Sequence, residues 1–502
     1  MGTESPALSL PKRIEHQNQH ALWTGSELLS WTQDLNAHES LSQNEWLQQS
    51  GNILARLTMA LHPHAKHIWL CCGPGRNGLD GWHAAHILKT HGKTVSITAL
   101  GSPPADLGNL HDSVRATPPQ EFDIAVDALF GIGLSRSINA TEAAGQWILR
   151  MHSSNRPLVF MDLPSGLCPS TGRWLGPELI YSRSQKDTLA MLGMSVGLWT
   201  HEGRDCAGQV WLSECQVNRG STLVPSRVPN AHLIGECPSP VRSLNSHKGT
   251  YGHVIVMGGS AGMRGAGLLA ARSALTHGAG VVHWFAPDGQ AAQFTFDLNS
   301  MPIQTLDRWP KRFQSQDVVV AGCGAGSLPE IVWDDILGHS PQLVLDADGL
   351  NAVASSAALK QRLMMRQQRQ LPTVITPHPL EAARLLSCST KDVQADRLNA
   401  ARNLSQTLGC VTLLKGSGTV IAQTNGTCWI NSTGNARLAT AGSGDVLAGC
   451  LGAMMAQGMN PVEAAKRSAY VMGKMAEQKA QDPSTSTLPL TADQQAMARL
   501  AN

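Results

Sequence analysis

The chain is poor in charge. Asp, Glu, Lys and Arg make up only 15% of its 502 residues, against about 25% in an ordinary soluble protein. Neither sign dominates: 39 Lys+Arg oppose 37 Asp+Glu, a formal net charge of +2. That balance argues against a nucleic-acid binder, which needs a basic face to neutralise phosphates. The 42% apolar content argues against disorder, because such a chain can build a core. Long apolar runs are missing, and no stretch approaches the roughly 18 residues of a membrane span. The polar stretch 1–20 lacks the apolar region of a signal peptide, and Pro6 stands where a myristoylated Gly2 would need Ser or Thr. A cytoplasmic protein with no membrane partner is expected. The 11 cysteines are odd in number and scattered, which fits free, mostly buried thiols in a reducing compartment. Tyrosine and phenylalanine are scarce, 3 and 7 against 13 tryptophans.

Glycine, by contrast, is abundant: 48 residues, where about 7% is usual. Its positions are orderly. Ile68-Trp-Leu-Cys-Cys72 runs into Gly73-Pro-Gly-Arg-Asn-Gly-Leu-Asp-Gly81. Ile124-Ala-Val-Asp-Ala-Leu-Phe130 runs into Gly131-Ile-Gly133, and Leu158-Val-Phe-Met161 into Asp162-Leu-Pro-Ser-Gly166. Short apolar strands alternating with helical stretches predict βαβ units and a parallel sheet. Residues 216–246, rich in Pro, Ser and Asn, read as a linker between domains. The theme then restarts. Val254-Ile-Val-Met257, Val318-Val-Val-Ala321, Leu343-Val-Leu345, Thr373-Val-Ile375 and Val411–Leu414 each end in glycines or polar residues. Two doubly wound α/β domains are expected, at 1–218 and 226–502. In such folds ligands bind beyond the carboxyl ends of the strands.

The second half carries the sharper chemistry. Gly442-Ser-Gly-Asp445 opens a helix, and backbone amides at a helix N-terminus attract an anion. Asp445 reads either as a helix cap or as a base that deprotonates a hydroxyl while the amides hold a phosphate. Lys415-Gly-Ser-Gly-Thr419 is not a Walker A loop. Lys415 reads as a solvated side chain or as a partner for a nucleotide phosphate. His378 in Thr376-Pro-His-Pro379 reads as a loop histidine with a backbone bond or as a binding residue; Pro379 is suited to a first helical turn. His62, His64 and His67 lack an acidic or cysteine partner for a metal site and read as surface loop.

Taken together, these motifs resemble a known family. Lys248-Gly-Thr-Tyr-Gly252, Gly258-Gly-Ser260, Leu345-Asp-Ala-Asp348, Thr376-Pro-His-Pro379, Gln394-Ala-Asp-Arg-Leu398, Leu414-Lys-Gly416 and Gly442-Ser-Gly-Asp-Val-Leu447 resemble, in order, the ribokinase-like NAD(P)H-hydrate dehydratase domain. The resemblance implies dehydration of hydrated NADH or NADPH with ADP as co-substrate, giving AMP and phosphate, with Mg²⁺ screening the phosphates. It places Ala266, Gly324, His378 and Asp445 on the hydrate, with Asp445 catalytic. Lys415, Gly416, Ser417, Gly418, Thr419 and Gly444 would hold the nucleotide. Cys323 stands where the family usually has Pro, and Met472 where a late His is common. An ordinary small-molecule kinase shares this phosphate apparatus and remains the alternative.

The first half resembles the Rossmann-like NAD(P)H-hydrate epimerase domain of bifunctional NAD(P)H-hydrate repair enzymes (the YjeF family). The carriers are Arg76-Asn-Gly-Leu-Asp-Gly81, Val126-Asp-Ala-Leu-Phe-Gly-Ile-Gly-Leu-Ser-Arg136 and Asp162-Leu-Pro-Ser-Gly166. The resemblance implies hydrate binding by Arg76, Asn77, Gly78, Leu79, Asp80, Gly131, Ile132, Gly133, Leu134, Ser135, Arg136, Ser137 and Asp162. Asp162 and then Asp80 are the catalytic candidates, with K⁺ among Asn77, Asp127 and Ser165. Plainer readings make Asp80 a turn residue and Asp127 a hydrogen-bonded core residue. Arg76 replaces a small amide, Leu79 a glycine and Ser195 a lysine. These departures leave open whether the first half is an epimerase or only a binding and assembly module, as in related domains of RNA-decapping scaffolds. Small-molecule substrates and a homo-oligomer are expected, with no nucleic-acid partner.

Overall fold

The computed structural model describes residues 9–16, 18–37, 43–179, 184–214, 228–291, 303–306, 308–310 and 312–481. They fall into two compact units, one of residues 1–15 and 21–231, the other of 16–20 and 232–502. The expected boundary at 218–226 lies outside the described residues.

In the first unit β1 (Lys12–Arg13) and β2 (His20–Trp23) precede helices α1 (Gly25–Ala37) and α2 (Gln43–Leu61). Then come β3 (His67–Cys72), α3 (Arg76–Thr90), β4 (Thr94–Ala99), β5 (Ile124–Ala128), α4 (Ala143–Ser153), β6 (Leu158–Met161), β7 (Lys186–Met191), β8 (Met194–Ser195), α5 (Gly203–Cys206) and β9 (Gln209–Ser213). The main sheet has the order β1-β9-β7-β6-β5-β3-β4. It is parallel except for β1. β4 and β5 flank β3, so the connections reverse direction between β3 and β5, and a crevice opens beyond their carboxyl ends. β5 is buried along its whole length, as an apolar strand covered on both faces should be.

The second unit contains β10 (Ala231–Leu233), β11 (His253–Met257), α6 (Arg264–Thr276), β12 (Val281–Phe285), β13 (Ile303–Thr305), β14 (Asp317–Ala321), α7 (Glu330–His339) and β15 (Gln342–Leu345). α8 (Ala347–Ser355), α9 (Ala357–Gln368), β16 (Thr373–Ile375), α10 (Pro379–Leu386), α11 (Thr390–Ala395), α12 (Arg397–Leu408) and β17 (Val411–Leu414) follow. β18 (Val420–Ala422), β19 (Cys428–Ile430), α13 (Ser443–Ala456) and α14 (Pro461–Gln481) complete it. From β13 through β12, β11, β14, β15 and β16 to β17 the strands are parallel; β18 and β19 add an antiparallel pair. α13 is buried from Val446 to Ala456, which its apolar sequence requires. Its N-terminus reaches the carboxyl ends of β14, β15 and β17.

One expectation needs correction. Residues 231–233 are not linker: His232 and Leu233 pair in parallel with Trp429 and Ile430. Regular structure is lacking from 234 to 247, where Pro238 and Pro240 interrupt the chain. The described cysteines are free thiols, most of them buried, and no described helix is long and apolar enough to cross a membrane.

Candidate active sites

In the first unit the glycine-bearing segment after β3 is helix, not loop. α3 begins at Arg76, so Asn77, Gly78, Leu79 and Asp80 form its first turns. This corrects one expectation: Asp80 is no turn residue. Leu79, in the same helix, does not occupy a backbone angle that favours glycine, because only Asn155, Asp162, Leu192, His201, Ala347, Gln370 and Ser387 have positive φ among described non-glycine residues. Gly78 matters through contact: a Cβ there would lie 1.9 Å from the Gly73 carbonyl oxygen. The helix thus starts directly against the strand end.

Arg76, Asn77, Asp80, Gly131, Ile132, Gly133, Leu134, Ser135, Arg136 and Asp162 line one cavity of about 440 Å³. Gly78, Leu79 and Ser137 are not in its lining. Leu29, Thr32, Trp46, Leu47 and Ser50, from α1 and α2, supply walls that carry no family motif and that the sequence did not single out. Asp162 holds φ +63°, a left-handed conformation that Asp tolerates better than most residues. Burial raises its pKa to about 6, opposed by a backbone hydrogen bond and by Arg76. Asp80 is pushed well above the carboxylate range by burial, against a hydrogen bond from Ser50; Asp162 pushes it further up and Arg76 opposes.

Asp127, at the end of β5, is a loop anchor. Its carboxylate accepts the Ser165 amide at 2.8 Å, the Ser165 hydroxyl at 2.6 Å and the Leu129 amide at 3.1 Å. Ser165 also accepts the Phe130 amide at 2.9 Å. Asn77 is different: its Oδ1 is buried with no hydrogen-bond partner, while its Nδ2 reaches Met161 O at 3.4 Å. Arg136 is held at the surface by Glu142 at 3.1 Å. Ser195, where the family has Lys, is buried with its hydroxyl unpartnered.

The second unit gathers its candidates at the carboxyl ends of five parallel strands. Lys415, after β17, is no solvated side chain. Its Nζ lies 2.7 Å from Asp346 Oδ1 and 4.0 Å from Glu381 Oε2. Burial opposes its charge, but Asp346 and Glu381 outweigh that and raise its pKa. A buried guanidinium fixes the strand end: Arg397 donates to Leu414 O and Lys415 O at 3.3 and 3.1 Å. Asp445 is not the cap of α13, since Gly442 holds that position. It sits in the first turn, where its carboxylate, Asp346 and Cys323 Sγ offer ligand atoms within 4.8 Å of one another. Burial raises the Asp445 pKa to about 6, with Asp346 adding to the rise.

His378 does cap α10. Its Nδ1 accepts from the Leu380 amide at 3.1 Å, and Glu381 returns the bond to the His378 amide at 2.7 Å. The plain structural reading therefore holds for Nδ1, and Nε2 lies 3.2 Å from Glu381 Oε1 on a half-exposed side chain. Ala266 and Gly324 meet: a Cβ on Gly324, whose φ is +59°, would lie 2.9 Å from the Ala266 Cβ. Gly444 is close to Lys415, with 3.4 Å from its Cβ position to Nζ. Gly416, Ser417, Gly418 and Thr419 form a turn closed by Thr419 Oγ1 to Gly416 O at 3.2 Å. Asp346 and Glu381 are the residues missed as site members. Asp346 had a signal, an acid directly after an apolar strand; Glu381 had no comparable one.

Two family models match in tandem: the YjeF-related protein N-terminus over residues 43–182 and NAD(P)H-hydrate dehydratase over 254–497. The bifunctional NAD(P)H-hydrate repair enzyme Nnr of Moorella thermoacetica is 33% identical over 457 residues, 83% of each chain. The chain belongs to the family of bifunctional NAD(P)H-hydrate repair enzymes. Its Escherichia coli member is 29% identical over 478 residues, 91% of this chain and 89% of that one. Among solved structures, the ADP/ATP-dependent NAD(P)H-hydrate dehydratase of Bacillus subtilis, co-crystallised with ATP and Mg²⁺, aligns with 52% of this repair-family chain and 92% of its own (27% identity, TM-score 0.43). The fold is α/β, built on mainly parallel sheets.

Proposed function

We propose that this chain repairs hydrated NADH and NADPH in two steps, one in each unit. The first unit interconverts the R and S hydrates; the second dehydrates the S form with ADP, releasing AMP and phosphate. The observation that carries the dehydratase reading is the cluster of Lys415, Asp346 and Asp445 at the start of α13. A hydroxyl is a poor leaving group until it is phosphorylated. Asp445 takes the hydroxyl proton as the oxygen attacks the terminal phosphorus of ADP and AMP leaves. Lys415, Gly444 and the 416–419 turn hold the nucleotide. The ring nitrogen then pushes out phosphate as a ring carbon loses its proton, restoring the reduced nicotinamide. Asp346, beside Asp445, is a hard oxygen donor of the kind that suits Mg²⁺ shared with phosphates; bound there, it would offset phosphate charge and leave Asp445 as the base.

Epimerisation needs only proton movement. One carboxylate, Asp162, takes the proton of the hydrate hydroxyl as the C–N bond opens. A protonated acid, Asp80, gives its proton to the ring nitrogen. Rotation and reclosure on the other face return both protons and invert the carbon. The unpartnered Asn77 Oδ1 supports a K⁺ ion held with Asp127 and Ser165, which would add positive charge beside the substrate.

The test uses the full chain with each epimer separately. With S hydrate and ADP, free phosphate and the near-ultraviolet absorbance of the reduced ring should rise together. Accumulation of a phosphorylated hydrate without phosphate release would make the second unit a kinase. Without nucleotide, R should convert to S faster than in buffer, and faster in K⁺ than in Na⁺. Exchange no faster than in buffer would make the first unit a binding module.

A further inference from the structure

Helix α2 carries an unusual pair in its interior, Ser50-Gly51. Both residues weaken a helix, glycine by about 1 kcal/mol against alanine. Gly51 has a packing reason. A Cβ there would lie 2.4 Å from the His83 Cβ and 2.9 Å from the Asp80 carbonyl oxygen. The glycine lets α2 lie directly on the first turns of α3, and this brings Ser50 onto the Asp80 side chain.

Ser50 is 1% exposed and lines the cavity that holds Asp80 and Asp162. Its hydroxyl has two neighbours, Asp80 Oδ1 and, at 3.1 Å, the Leu47 carbonyl oxygen. A hydroxyl has one proton and accepts through its lone pairs. When Asp80 is ionised, the Ser50 proton belongs on the carboxylate. When Asp80 is protonated, its own proton points to Ser50 Oγ, and the Ser50 proton turns to Leu47 O. The Ser50–Asp80 hydrogen bond is therefore kept in both protonation states without movement of a heavy atom. The charged groups acting on Asp80 are Asp162, at the end of β6, and Arg76, one turn earlier on α3; α2 faces it with the Ser50 hydroxyl.

We propose that Ser50 is a positioning residue for Asp80 in epimerisation, a hydroxyl switch that supports the acid both before and after it gives up its proton. The proposal rests on the epimerase reading of the first unit. It adds to that reading a residue in α2, outside every motif, that touches the acid and not the reacting carbon.

The test is Ser50→Ala and Ser50→Thr in the full chain. Alanine favours the helix and removes only the hydroxyl; threonine restores it. The first readout is the carboxyl ¹³C titration of Asp80, assigned with Asp80→Asn. A lost charge-assisted hydrogen bond should raise the Asp80 titration in Ser50→Ala by about one unit or more. The second is the pH profile of R-to-S conversion. Ser50→Ala should lower kcat roughly tenfold, leave KM nearly unchanged and move the high-pH limb upward, with Ser50→Thr recovering most of both. An unmoved Asp80 titration, or a Ser50→Ala profile that falls uniformly without shifting, would overturn the proposal. A wild-type chain without epimerase activity would instead sink the reading beneath it.

Discussion

The two units place their acids in contrasting company. In the first, Asp80 and Asp162 share a cavity walled largely by apolar side chains, with Arg76 as the nearby cation. In the second, Asp346 and Asp445 surround an ammonium, Lys415, beside a helix N-terminus and a glycine turn. Burial lifts Asp80 and Asp162 in the first and Asp445 in the second. In the second an ammonium lies directly on one acid, with Lys415 Nζ 2.7 Å from Asp346 Oδ1. The difference matches the chemistry proposed for each. Moving a proton across a ring needs one neutral acid and one base, which two buried acids in one largely apolar cavity supply. Transferring a phosphoryl group needs fixed positive charge and amides in place beforehand.

The sharpest way to break this comparison is a crossed pair of substitutions. Asp445→Asn should cost roughly 10²- to 10⁴-fold in dehydration, the usual worth of a positioned base, and leave epimerisation near wild type. Asp162→Asn should do the reverse. Phosphate release from the S hydrate and R-to-S conversion, measured on the same preparations, check both. Loss of both activities in either variant would mean that the two sites do not work independently.

The pH profiles should differ in shape. Asp445 acts as a base, so dehydration needs it ionised. With its pKa held to about 6, activity should fall about tenfold per unit below that pH and stay level above it. Epimerisation needs Asp162 ionised and Asp80 protonated. It should fall below about 6 as Asp162 gains its proton, and fall again at higher pH as Asp80 loses its own. A one-sided epimerase profile would remove Asp80 from the mechanism.

Smaller in effect is Lys415→Ala. A charge-assisted bond to phosphate is worth about 1.5–3 kcal/mol, so ADP should bind roughly 10- to 100-fold more weakly. Calorimetric titration with ADP reads this directly. Unchanged affinity would restrict Lys415 to neutralising the buried Asp346.

What the sequence made legible was mostly local. Strand-end glycines marked both crevices because parallel strands and their turns are written in short apolar runs. Asp445 and Lys415 stood in recognisable segments. The company they keep was not readable: Lys415 meets Asp346 across 69 positions, and nothing near either residue announces the pair. Ser50 reaches Asp80 from a helix whose sequence shows only two poor helix formers. The segment 76–81 misled for the same reason. Its glycines argue for a loop, yet tight packing of Gly78 against Gly73 favours helix and overrides local propensity.

That override yields the smallest and most discriminating prediction. Leu79 stands where the family resemblance places a glycine, and a glycine there would suggest a strained loop. The structure has Leu79 inside α3, its amide bonded to Gly75 O at 3.2 Å. Leu79→Gly should therefore restore nothing. It should cost about 1 kcal/mol in the urea unfolding of the first unit, the price of glycine in a helix interior, and leave R-to-S conversion unchanged within about twofold. A several-fold gain in epimerase activity would mean that the working form of this segment is not the helix, and that the first unit, unlike the second, reorganises its strand-end segment around the substrate.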